Sequence, residues 1–125
     1  MRAIADMSVL ITGAGSGIGA GVARWYVARG ARVTICGRRA DEVLELETEL
    51  GERCRAVFAD VTVAADRVAA IATAAEHGGG LDDLVHCGGN MYRGAITALD
   101  EQALLNVFHT NVVKQLRNAG RLHHC

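Results

Sequence analysis

The feature that most constrains this chain is an alternation of short apolar runs with stretches of helical period. MSVLIT at 7–12, ARVTIC at 31–36, CRAVFAD at 54–60 and LDDLVHC at 81–87 read as strands. None shows strict polar alternation, so each is expected to be covered on both faces. Helical periodicity runs from Gly17 to Arg29, with Ile18, Val22, Trp25 and Tyr26 expected on one face. Val43, Leu46 and Leu50 recur at helical spacing with acids between them, and Gly51 supplies a stop. Val68, Ile71, Ala72 and Ala75 mark a third helix, closed by Gly78, Gly79 and Gly80. TALD at 97–100 has the form of a capping box before the apolar run at 104–108. The order is therefore strand, helix, four times over. Right-handed crossovers reduce such an order to a doubly wound parallel sheet with helices on both faces, an α/β fold.

Length and charge narrow the possibilities. The chain's 125 residues suffice for one domain and are too few for two. A net charge of -1 argues against a nucleic-acid surface or an anionic membrane as partner. No apolar run is long enough for a signal peptide or a membrane span, which points to the cytoplasm. Cys36, Cys54, Cys87 and Cys125 form no C-x-x-C pair, and three lie in apolar runs. Buried free thiols are expected, rather than a disulfide framework or a metal site. With no proline in the chain, glycines do the punctuating.

The densest glycine cluster, TGAGSGIG, spans Thr12 to Gly19 between the first strand and the first helix. Four glycines in seven residues permit a tight turn and a close approach of backbone to ligand. The helix that follows presents unpaired N–H groups and the positive end of its dipole. Together these suit a pyrophosphate. The spacing fits G-x-G-x-x-G only in its alanine-ending form, through Gly15, Gly17 and Ala20, but fits T-G-x-x-x-G-x-G through Thr12, Gly13, Gly17 and Gly19.

With that loop the sequence resembles the short-chain dehydrogenase/reductase family, in register from about Met7 to about Val113. The resemblance implies a partial Rossmann-type sheet of about four strands in the order 3-2-1-4. It also implies that Thr12, Gly13, Gly15, Ser16, Gly17, Ile18 and Gly19 bind a dinucleotide. The adenosine ribose belongs at the tip of the second strand, where an acid selects NAD(H). Here Gly37 stands in that place, followed by Arg38 and Arg39. An arginine can fork onto a 2′-phosphate, so NADP(H) is favoured over NAD(H); a pair of solvated charges at a helix start is the plainer reading. Asp60 matches the family's acid at the adenine edge, with the backbone of Val61 beside it; a turn acid is the alternative. Where the family shows Asn-Asn-Ala-Gly, this chain has His86, Cys87, Gly88 and Gly89. The two glycines would pass the nicotinamide ribose, and His86 retains the means to hydrogen-bond locally.

The family transfers hydride between NAD(P)(H) and a carbonyl or alcohol, using a Ser, a Tyr-x-x-x-Lys pair and an Asn. Asn111 matches the Asn. The tyrosines are Tyr26 and Tyr92, neither with a lysine four residues on; Lys114 is the only lysine, and no Ser follows Ser16. The expectation is an NAD(P)-binding half-domain at 1–113 with a divergent tail at 114–125, either a truncated or frameshifted member, inactive alone. A small-molecule carbonyl or alcohol would then be a partner only of a full-length form. A dinucleotide-binding regulatory or interaction module without catalysis is the alternative. The tail, ending in His123, His124 and Cys125, reads as neither strand nor apolar helix, and adjacent ligands at a chain end make a poor metal site. An uncovered fourth strand or last helix would then offer an edge for homo-oligomer formation.

Overall fold

The computed structural model describes residues 3–15 and 17–87, and the backbone of 116–124. After a 3-10 turn at Ile4–Asp6 come β1 (Ser8–Thr12), α1 (Gly17–Ala28), β2 (Arg32–Gly37), α2 (Ala40–Leu50), β3 (Cys54–Phe58), α3 (Ala64–Gly78), β4 (Leu81–His86) and β5 (Leu116–His124). The sheet has the order β3-β2-β1-β4-β5. Every pairing is parallel. The expected order 3-2-1-4 is therefore present, with each of these four strands bounded within two residues of the sequence reading.

The sheet differs from that reading at one edge. β5 lies parallel on β4, pairing Leu81 with Leu116 and Asp83–His86 with 121–124, across an irregularity between Leu81 and Asp83. The edge of β4 expected to stand open is paired. Among the described residues the four expected strands are thus joined by a fifth, and β4 offers no open edge for a partner chain. A ladder needs only backbone N–H and C=O groups, so a segment rich in Arg, Asn and His can join it without an apolar pattern.

Strand side chains alternate between two cores. Leu10, Leu81 and Leu84 face α3, where Ala70, Ile71 and Ala74 close the layer together with Val61. Val9, Ile11, Val33 and Ile35 face α1 and α2, meeting Ala20, Ala23, Val43 and Leu46. Val43 and Leu46 are buried as their spacing predicts. The expected face of α1 holds for Val22 and Tyr26, which pack against the core, and fails for Ile18 and Trp25. The helix buries Gly19, Ala20 and Ala23, while Ile18 and Trp25 are exposed. Small residues let α1 lie close on the sheet, and Ile18 and Trp25 turn outward while Val22, Tyr26 and Val27 pack at its margin. Trp25 packs edge-on to Tyr26 and under the Arg29 guanidinium, 3.8 Å from its ring centre. In α3 the same correction applies to Val68, which is exposed while Ala70 and Ala74 are buried.

Gly51 ends α2 at φ 82°, and Gly79 ends α3 in the left-handed region at φ 69°. Cys36 and Cys54 are buried free thiols, as expected. Cys87 is disulfide-bonded, against that expectation. Among the described residues no helix is long and apolar enough to cross a membrane. The capping-box segment at 97–100 lies outside the described residues.

Candidate functional site

In an open parallel sheet, ligands bind beyond the carboxyl ends of the strands, where the order reverses. Here β2 and β3 run to one side of β1, and β4 to the other. The carboxyl ends of β1 and β4 are in register, Thr12 against His86. The glycine loop leaves β1 at that point.

The loop has the geometry a bound diphosphate requires. Gly13 and Gly17 have φ of 69° and 64°, conformations that residues with a Cβ rarely adopt. A Cβ added at Gly17 would meet nothing within 4 Å, so the first turn of α1 opens onto free space. A Cβ at Gly19 would stand 2.2 Å from the Gly13 carbonyl oxygen. That position therefore sets how closely the helix start packs under the loop. The Ala14 N–H donates to the Cys36 carbonyl at 3.2 Å, and the Cys87 N–H to the Thr12 carbonyl at 3.0 Å, which ties the loop to β2 and to the end of β4. The buried Thr12 hydroxyl lies 2.6 Å from His86 Nδ1. The side chain that departs from the family pattern thus anchors the base of the loop. Ile18, exposed at the start of α1, faces outward from the same turn.

At the tip of β2, Arg38 and Arg39 are both exposed. Arg39 Nε lies 3.5 Å from Glu42 Oε1. Asp60 follows β3, and its Oδ1 accepts the Thr62 N–H at 2.9 Å and the Thr62 hydroxyl at 2.6 Å. These bonds hold the Asp60 carboxyl below its ordinary pKa, with a smaller contribution from the positive charge of Arg38. Asp60 therefore shapes its turn through Oδ1. Val61 is buried among the α3 core, so only its backbone is available to a ligand. Thr12, Gly13, Gly15, Gly17, Ile18, Gly19, Arg38, Arg39, Asp60 and Val61 all come from the carboxyl-end loops of β1, β2 and β3. Ser16, Gly88, Gly89 and Asn111 lie outside the described residues.

Sequence reasoning missed Glu42. A Cβ built on Gly15 would stand 3.2 Å from the Glu42 Cβ and 3.7 Å from its carboxyl carbon, so this acid leans on the loop. No local pattern links residues 15 and 42; the approach of α2 to the loop creates the contact. Among the described residues no group of three His, Cys, Asp or Glu is placed to hold a metal ion; the side chains of His123, His124 and Cys125 lie outside them.

The sequence profile of the short chain dehydrogenases matches residues 7–118. A cis-2,3-dihydrobiphenyl-2,3-diol dehydrogenase of Paraburkholderia xenovorans is 34% identical over 110 residues, which cover 84% of this chain and 40% of that enzyme. Oxidoreductase UcpA of Salmonella typhimurium is 38% identical over 105 residues, 82% of this chain and 40% of that protein. Among solved structures, a short chain dehydrogenase from Burkholderia cenocepacia in complex with NADP superposes with a TM-score of 0.81 at 27% identity. That superposition covers 98% of this chain and 56% of the other. The chain thus spans about two fifths of the length of these curated relatives.

Proposed function

The chain belongs to the short-chain dehydrogenase family, and from that premise we propose that residues 1–113 bind a nicotinamide dinucleotide, NADP(H) in preference to NAD(H), without completing hydride transfer on their own. The observation that carries the reading is the glycine loop: two positive-φ glycines, open space over Gly17, and a helix start that packs against the Gly13 carbonyl, all at the carboxyl end of β1. The N–H groups at the start of α1 would hold the diphosphate. Arg38 and Arg39 would meet a 2′-phosphate, and Asp60 with the Val61 backbone would meet the adenine. Gly88 and Gly89 would flank the nicotinamide ribose. The dinucleotide supplies the hydride. Proton transfer to a carbonyl needs a positioned acid, which the family takes from its Tyr and Lys; neither Tyr26 nor Tyr92 has a lysine four residues on.

Titration with NADPH and NADH, followed by cofactor fluorescence, tests the binding. Saturation well below millimolar, tighter for NADPH, is the expected result. Absence of saturable binding would refute it. Carbonyl-dependent oxidation of NADPH by this chain would instead overturn the claim of inactivity. A non-catalytic regulatory module is the reading that remains if binding is tight and oxidation is absent for every carbonyl offered.

A further inference from the structure

The corner that would receive the adenosine ribose contains an acid the family motif does not predict. Position 37 does not supply one: it is glycine, and a Cβ there would stand 2.9 Å from Cγ1 of the buried Val43, so a side chain would have to displace that valine. Glu42, in the first turn of α2, occupies the neighbouring space. Its side chain rests against Gly15, and its carboxylate pairs with Arg39 at 3.5 Å. The two ends of that pair differ in exposure, 78% for the Arg39 side chain and 27% for Glu42. The arginine is therefore free to swing, while the carboxylate is held between helix and loop.

We propose that Glu42 is a specificity-determining residue, an internal counter-ion that competes with the ligand's 2′-phosphate for Arg39 and so narrows the preference for NADP(H) over NAD(H). This rests on the dinucleotide reading of the glycine loop. A 2′-phosphate entering the corner must either draw Arg39 from Glu42 or bind beside a fixed negative charge. An exposed ion pair of this kind breaks at little cost, so Glu42 tunes the selectivity without abolishing it. A ligand that ends in a free 2′-hydroxyl meets no such repulsion.

Glu42→Gln keeps the shape and removes the charge. Calorimetry with adenosine 2′,5′-bisphosphate and 5′-AMP, and with NADPH and NADH, reads the effect without requiring turnover. The 2′-phosphorylated member of each pair is expected to bind about three- to tenfold tighter to the variant, the gain shrinking as salt rises. The other member should change less than twofold. Arg39→Gln should weaken adenosine 2′,5′-bisphosphate more in the Glu42→Gln background than in the wild type, because only there is Arg39 unshared. A purely structural role for Glu42 would lower the melting temperature and shift both members of each pair alike. Equal gains for both members, or no gain, overturn the proposal while leaving dinucleotide binding intact. Failure of the wild type to bind any of the four nucleotides overturns the binding reading and this proposal with it.

Discussion

Gly19 and Gly21 lie two residues apart on α1, yet alanine at the two positions should act in opposite directions. At Gly19 the new Cβ would stand 2.2 Å from the Gly13 oxygen, and 2.9 Å from both the Gly13 carbonyl carbon and the Ala14 Cα. All three are backbone atoms, and none can rotate away. Relief requires helix and loop to part by about 1 Å, an overpacking strain of about 1–3 kcal/mol. At Gly21 the Cβ would meet nothing within 4 Å. Alanine there only removes glycine's backbone entropy from a helix interior, a gain of about 0.5–1 kcal/mol. For a chain of this size 1 kcal/mol corresponds to about 3–6 °C in melting temperature. Gly19→Ala should therefore melt about 3–18 °C lower than wild type, and Gly21→Ala about 1.5–6 °C higher. The parting of helix and loop would also displace the N–H groups proposed to hold the diphosphate, so Gly19→Ala should bind NADPH at least about tenfold more weakly. Gly21→Ala should bind as wild type does. Thermal melts by circular dichroism and NADPH titrations give both readouts. Equal destabilisation by the two variants would show that the helix tolerates no added Cβ anywhere. A Gly19→Ala protein with wild-type stability and affinity would refute the packing argument outright.

Two further predictions concern buried groups. Thr12→Val keeps the shape of the side chain and removes the hydroxyl that meets His86 Nδ1 at 2.6 Å. It should cost about 1–3 kcal/mol in urea unfolding, because one partner of a buried polar pair is deleted; an unchanged midpoint would show that this bond contributes nothing. Burial pushes the Cys36 and Cys54 thiols up to about 12. At pH 8 a thiol with that pKa is ionised in about one molecule in ten thousand, so both should label with a thiol reagent only when the chain unfolds. The sign for stability follows. The folded thiols hold their protons where unfolded ones, near 9.0, release them, so stability is intact below about pH 9 and is lost as pH climbs toward 12. Rapid labelling of folded protein at pH 8 would contradict the burial.

What was legible in the sequence, and what was not, divides along the range of the interactions. The strands were legible because a doubly covered sheet writes itself as unbroken apolar runs. The glycine loop was legible because positive φ at Gly13 and Gly17 restricts those positions to glycine. The face of α1 was legible only in part, because a helix apolar on most sides leaves the choice to packing distance, and there Ala20 and Ala23 outcompete Ile18 and Trp25 for the sheet. β5 was not, because strand pairing through backbone leaves no mark on side chains such as Arg117, Asn118 and Arg121. At Asp60 the local rule is what the structure displays: it holds its own turn through Thr62, as an aspartate there commonly does. Glu42 is the informative failure. In the sequence it is one acid among several on a solvated helix; Gly15 is one glycine among four in a loop. Their contact arises from the approach of α2 to that loop, which no local pattern records. Backbone conformations that need glycine are therefore readable from motif. The proposed role of Glu42 acts through charge, and its place is decided by how α2 docks on the loop.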